Sequence, residues 1–316
     1  MTHHLQAPSP LKKRVTAVLA AMLIEAALFW LSAPAADFGA GMICILFGLP
    51  FDGEAYRLIF DLLYMPLYAV TFLLPASFLI MLLRGRFGEY LRFKPRFEVN
   101  PALATAVTLG VVTAVSYLSN LYISLLNVLG IELYYSESPF PESTAAIIVY
   151  FLSSVVVPAF VEEITYRGAV LHALLPFGRW FAIIASGILF GVMHYNPSQI
   201  LYAAAAGMAL AYFVLEAKSL WMGIAIHALN NALSFFGHWL YDCVSEEAYY
   251  RFYSVFDAVI VTLALAGILI ILHRRTVLRR YEERPAASLR EMAGAFISPV
   301  GAAYAMAALL LTARWC

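Results

Sequence analysis

The sequence predicts an all-α polytopic membrane protein, and three observations carry that prediction. The first is composition: 63% of the residues are hydrophobic, 13% are charged and the mean hydropathy is +0.80. Soluble domains run near 45–50% apolar and about 25% charged, so a water-soluble core has no room for this much apolar surface. The second is pattern: apolar runs of about 20 residues or slightly fewer recur along the chain, each long enough to cross a hydrocarbon layer as a helix. The third is the gathering of basic residues into three of the intervening segments.

Taken in order, the apolar runs fall at 15–33, 56–83, 101–129, 143–171, 179–194, 198–215, 220–236, 254–273 and 298–313. They give eight to nine transmembrane helices, the last being the least regular. The stretch 38–49, between Pro34 and Pro50, reads as interfacial or re-entrant. Lys12, Lys13 and Arg14 precede the first run, Arg84, Arg86, Arg92, Lys94 and Arg96 follow the second, and Arg274, Arg275, Arg279, Arg280, Arg284 and Arg290 follow the eighth. Alternating spans put all three clusters on one side, with Asp52, Glu54, Glu132, Glu137, Glu142, Asp242, Glu246 and Glu247 on the other. The positive-inside rule makes the amino terminus cytoplasmic.

The start of the chain imitates a signal peptide, with basic residues, an apolar stretch and Ala33-Pro34-Ala35. Its apolar run is longer than a usual signal core and contains Glu25, so it is read as an uncleaved span. Acidic and basic residues balance at 20 each, which gives no argument for a nucleic-acid partner. Cys44, Cys243 and Cys316 form no metal-binding spacing. A bridge between Cys44 and Cys243 is conceivable, and three unpaired cysteines are the simpler reading.

Polar residues inside the apolar runs carry the functional signal. Glu162, Glu163 and Arg167 sit in the fourth run, His194 ends the fifth, and His227 and Asn231 sit in the seventh. Ionised groups near a bilayer centre cost about 2.5–3.5 kcal/mol each on the insertion scale, so a chain that keeps them has a use for them. On a helix Glu163 and Arg167 are neighbours one turn apart and can pair. Glu162 points about 100° away and stays available. His227 and Asn231 likewise share one helix face. Counted from the cytoplasmic helix ends at 1.5 Å per residue, Glu162, His227, Asn231 and His194 lie roughly 13, 11, 17 and 22 Å deep. Three runs thus aim a carboxylate, two imidazoles and an amide at one level. His3, His4, His172, His238 and His273 read as tail or interfacial residues, and Glu25 and Asp61 as intramembrane acids without a motif.

A carboxylate near an imidazole can hold a water and take its proton as the water attacks a carbonyl. A second imidazole and a carboxamide are suitable donors to the resulting oxyanion. That set suits peptide hydrolysis by activated water, and no Ser or Cys nucleophile competes with it.

The motifs Glu-Glu-x-x-x-Arg (Glu162, Glu163, Arg167), Phe-x-x-x-His (Phe190, His194) and His-x-x-x-Asn (His227, Asn231) together resemble the CPBP, or Abi, family. That family comprises CAAX prenyl endopeptidases and bacteriocin-processing or immunity proteins, and the resemblance covers roughly residues 150–236. It implies a helix bundle around a cytoplasm-facing polar cavity. It also implies Glu162 as the water-activating base assisted by His194, Glu163 paired with Arg167, Phe190 in support, and His227 with Asn231 at the oxyanion. The organisation that follows is a cytoplasmic tail (1–14), amino-terminal helices (15–142), a catalytic core (143–273), a basic cytoplasmic linker (274–297) and a last helix (298–316).

Many relatives are described as metalloendopeptidases, and Glu162, His194 and His227 could offer Zn2+ a set of two imidazoles and one carboxylate. The metal-free glutamate mechanism is the preferred reading. The expected partners are a membrane-associated peptide or protein substrate and the lipid bilayer. The alternatives are an inactive relative acting as an immunity or peptide-binding scaffold protein, and a proton-coupled transporter. Transporters commonly show paired broken helices in duplicated halves, which this sequence lacks.

Overall fold

The computed structural model describes residues 10–51, 53–94, 99–133, 139–277 and 288–315. His3, His4, Asp52, Arg96, Glu137, Arg279, Arg280, Arg284 and Cys316 lie outside them. The described residues are helical and contain no strand. The main helices are α1 (Pro10–Phe47), α2 (Glu54–Leu82), α3 (Pro101–Val128), α4 (Thr144–Phe177), α5 (Arg179–Val192) and α6 (Pro197–Ala217). They are followed by α7 (Leu220–Cys243), α8 (Glu246–Val277), α9 (Leu289–Phe296) and α10 (Pro299–Thr312).

Six of these (α1, α2, α3, α4, α6 and α8) are long and apolar enough to cross a membrane, and α9 with α10 makes a seventh if that pair, bent by 66°, is one span. The chain is therefore an integral membrane protein, and six or seven spans among the described residues meet the length and apolarity expected of the eight to nine runs. Two sequence runs account for the difference. At 14 residues α5 reaches only about 21 Å, short of a ~30 Å hydrocarbon layer. In α7 the residues His227, Asn230, Asn231, Ser234 and His238 dilute the apolar character, and all five line cavities.

The stretch 38–49 is not a separate re-entrant segment. Through Phe47 it continues α1, with Pro34 inside the helix. Neighbouring helices can compensate a proline inside a bundle, and here the small residues Ala36, Ala40 and Cys44 form a buried stripe one turn apart. Helix α1 lies along α2 at this stripe, where a methyl on Gly39 would meet Leu63 at 2.9 Å. Cys44 is buried and Cys243 exposed, and both are free thiols. The segment expected as a linker at 274–297 is helical at both ends, since α8 runs to Val277 and Ser288 caps α9 in a box with Glu291.

Small residues set the closest helix crossings. Gly187 and Gly191 on α5 meet Ala204, Gly207 and Met208 on α6, where added methyls would lie within 3 Å of backbone atoms. Close backbone approach of this kind is how helices associate in lipid. Asn100 caps α3 through Ala102 and Leu103, Ser143 caps α4 through Ala146, and Asn196 caps α6 through Ser198. Helix α8 packs mainly on α3, with Gly110 against Ala264, and presents Val255, Val259, Leu263 and Leu269 outward as a lipid-facing surface.

Candidate active site

Helix α4 is irregular where the chemistry lies. Two π-helical stretches, Leu152–Val156 and Ile164–Val170, flank the α-helical turn pair Val157–Glu163 that carries Glu162 and Glu163. Pro158 explains the first stretch. It has no N–H, so the Ser154 carbonyl one turn earlier loses its helical donor. Asn231 on α7 supplies the replacement, donating Nδ2 to Ser154 O at 3.3 Å. At the second stretch the His172 ring Nδ1 bonds the Arg167 and Gly168 carbonyls at 2.8 and 3.0 Å. His172 is thus part of α4, not a residue beyond it, and braces the irregular turn. His238 likewise lies inside α7, bonded to the Tyr150 hydroxyl at 3.1 Å.

Glu163 is fully buried and serves two partners through one oxygen. Its Oε1 lies 2.9 Å from the Arg167 guanidinium and 3.0 Å from Nδ1 of His227. The carboxylate can only accept, so Nδ1 carries the proton and Nε2 is the atom that His227 presents to the cavity. That Nε2 stands 3.9 Å from Glu162 Oε2. Glu162 is less free than its helical phase implied, because Tyr68 on α2 donates its hydroxyl to Oε1 at 2.6 Å. His194 turns Nδ1 to the Phe190 carbonyl at 2.8 Å, leaving its own Nε2 to face inward.

The Phe190 ring is the platform between these groups. The Arg167 guanidinium carbon lies 4.0 Å from its centroid, and the rings of Tyr166, His194 and His227 stand edge-on at 5.3, 5.1 and 5.7 Å. Arg167 is 1% exposed, so its charge is stabilised by Glu163 and this ring rather than by water.

All four predicted polar residues line one cavity of about 330 Å³: Glu162, His194, His227 and Asn231, with Phe190 in its wall. Glu163 and Arg167 lie behind it. The sequence reading missed Tyr68, Tyr150, Gln199, Tyr202 and Asn230, which also line it. Tyr68 had a readable signal: Phe60, Tyr64, Tyr68 and Phe72 recur one turn apart and their rings stack in series. A second cavity of about 1040 Å³ shares Tyr150 and continues past Asp61 and His238 to Glu54 and Asp242. The lining therefore extends toward helix ends that the charge pattern placed opposite the cytoplasm.

Among the described residues no three His, Cys, Asp or Glu side chains are grouped to hold a metal ion. Glu162 Oε2 and His227 Nε2 stand 3.9 Å apart, whereas two ligands of a tetrahedral zinc at about 2.0–2.2 Å lie roughly 3.3–3.6 Å from each other.

These features define a class: an integral membrane protein with an acid, two imidazoles and an amide converging on a chamber between its helices. Residues 144–233 match the family model described as type II CAAX prenyl endopeptidase Rce1-like. The matched segment runs from the start of α4 into α7 and contains every motif residue named above, so it supports the CAAX-protease resemblance and a peptidase activity for that family. No curated protein and no solved structure matches the chain.

Proposed function

We propose that this protein is an intramembrane endopeptidase that cleaves a membrane-associated peptide with a water activated by Glu162, without a covalent intermediate. The observation that carries this reading is the 3.9 Å gap between Glu162 Oε2 and His227 Nε2, inside a cavity also lined by His194 and Asn231. That spacing is short enough for the two side chains to face one scissile carbonyl, Glu162 through the water and His227 at the oxygen.

In the proposed reaction the water sits on Glu162 Oε2, with His194 Nε2 as its second contact. Glu162 takes one water proton as the oxygen attacks the scissile carbonyl carbon, and the carbonyl electrons move onto oxygen. That oxyanion lies beside His227 and Asn231. His227, as an imidazolium protonated on both nitrogens beside the Glu163 carboxylate, donates to it from Nε2, while Asn231 uses the amide hydrogen not given to Ser154. Collapse of the intermediate breaks the C–N bond, and the proton held by Glu162 passes to the leaving amine. Glu163 fixes the His227 ring, Arg167 neutralises Glu163, and Tyr68 fixes the Glu162 rotamer. The substrate class that follows from the family is a carboxy-terminal CAAX peptide carrying a prenyl group.

The amino terminus and the basic segments are placed at the cytoplasmic face, as the charge pattern proposes. The inactive scaffold reading is weakened by the intact set of polar residues. The test uses purified protein in liposomes with a fluorescent farnesylated CAAX peptide. Wild type releases the terminal tripeptide, and Glu162→Gln, folded and inserted, releases none. Equal cleavage by Glu162→Gln sinks the mechanism, and peptide binding without cleavage by wild type favours the scaffold.

A further inference from the structure

Behind the chamber lies a second polar cluster that the proposed reaction does not use. Glu25 on α1 is 1% exposed, and no cation is paired with it among the described contacts. The Tyr166 hydroxyl donates to its Oε1 at 2.7 Å, while Oε2 has no hydrogen-bond partner. Tyr195 and Tyr304, 1% and 5% exposed, lie near this carboxyl, and like its Oε2 their hydroxyls are buried without a hydrogen-bond partner among the described residues. An acid placed among apolar helices, with three tyrosines from three other segments around it, is costly to keep.

The positions of two of those tyrosines matter. Tyr166 directly precedes Arg167 in the second π-helical stretch, and its ring stands against the Phe190 platform. Tyr195 directly follows His194, in the turn between α5 and α6, and its φ of 50° is left-handed. A tyrosine holds that conformation only where its surroundings enforce it. The enforcing contacts come from outside the motif segment: Phe29 on α1 stacks on the Tyr195 ring at 5.1 Å, and Ala26, Ala308 and Leu311 pack with it. Helices α1 and α10, from the two ends of the chain, therefore meet at the back of both motif turns.

We propose that Glu25 is a positioning residue for the reaction proposed above. Through its hydrogen bond to Tyr166 it fixes the turn that carries Glu162, Glu163 and Arg167, and by setting the seat of α1, whose Phe29 one turn on meets Tyr195, it fixes the turn that carries His194. Relative placement of Glu162 and His194 is what the water requires, and a shift of about 1 Å can cost on the order of a hundredfold in rate. The inference rests on the peptidase reading for its kinetic arm only.

The test compares Glu25→Leu, Glu25→Gln, Tyr166→Phe and Tyr304→Phe in the full chain, with two readouts. In the liposome cleavage assay, Glu25→Leu lowers kcat at least about tenfold with KM little changed, and Glu25→Gln, which keeps an acceptor for Tyr166, restores most of the loss. Tyr166→Phe lowers kcat in the wild-type background and not further in Glu25→Leu. In hydrogen–deuterium exchange, residues 193–196 exchange faster in Glu25→Leu and Tyr304→Phe than in wild type or Glu25→Gln. If Glu25→Leu does not fold, Tyr304→Phe carries both readouts. Unchanged kcat and exchange, equal defects in the Leu and Gln variants, or multiplying effects of Glu25→Leu and Tyr166→Phe overturn the proposal. A wild type that cleaves nothing overturns the peptidase reading, and the exchange readout still decides whether Glu25 positions the His194 turn.

Discussion

Glu163 Oε1 stands 3.0 Å from His227 Nδ1, and this contact joins the fourth helix to the seventh across the back of the chamber. The same oxygen is 2.9 Å from Arg167, so the carboxylate serves a structural ion pair and a functional ring together. Breaking a buried pair from one side leaves an uncompensated charge and costs roughly 3–5 kcal/mol. Glu163→Leu is therefore expected to lower the thermal midpoint strongly and to abolish cleavage. Adding Arg167→Met removes the orphaned cation and recovers much of the stability. Activity stays lost, because His227 still lacks its acceptor. Recovery of cleavage in the double variant, measured alongside differential scanning fluorimetry, refutes the orienting role of Glu163.

Tyr68→Phe removes one hydroxyl and keeps the ring packed between Tyr64 and Phe72. The lost bond is to a carboxylate, a kind that contributes about 1.5–3 kcal/mol. The expected result is a fall in kcat of about ten- to a hundredfold, with substrate binding and folding little affected. An unchanged kcat shows that Glu162 holds its rotamer without Tyr68.

Gly223 lies one helical turn before His227, and a methyl there would stand 2.5 Å from Glu163 Oε2. Gly223→Ala must push that carboxylate away from Arg167 and His227. Cleavage is expected to fall by at least about tenfold and stability to drop by roughly 1–3 kcal/mol, the usual range for overpacking. Gly294→Ala in α9 meets nothing within 4 Å and serves as the control, with full activity. Wild-type cleavage by Gly223→Ala indicates that Glu163 can move without consequence.

The proposed reaction activates the water with Glu162 and the donors around it, so turnover is expected not to depend on a bound metal ion. Exhaustive dialysis against a chelator, followed by assay in metal-free buffer, is expected to leave kcat unchanged. Loss of activity that zinc alone restores, with zinc retained by wild type and not by Glu162→Gln, reverses this reading.

The polar residues of the chamber were readable because Glu, His and Asn stand out in an apolar background. Depth along the helices put them at comparable levels, and which helix faces meet around one cavity came only with the fold. Tyr68 and Tyr166 escaped because tyrosine is amphipathic and common here, with 19 in the chain, so neither one marks a site by its identity. The continuity of α1 was hidden by Pro34, which breaks helices in water and is accommodated in a bundle. The π-helical stretches were out of reach of any reading that assumes 3.6 residues per turn. They also explain why Asn231, one turn beyond His227, is tied to Ser154 rather than wholly free for an oxyanion.

That tie leads to the sharpest test of the irregular helix. Pro158→Ala returns an N–H to α4 and removes the ring that conflicts with a regular turn. The Ser154 carbonyl can then take its donor from within the helix, and relieving an interior helical proline is worth up to about 3 kcal/mol. The same bond displaces the Asn231 amide and reduces the need for the π-helical stretch Leu152–Val156, so the phase of Glu162 relative to Tyr150 and Ser154 changes. The variant should therefore melt at a higher temperature than wild type and cleave about tenfold more slowly or worse. In the Asn231→Ala background the same substitution should cost less, since the displaced amide is already gone and only the shift of Glu162 remains. A Pro158→Ala protein that is both more stable and fully active shows that the irregular turn serves packing and not catalysis.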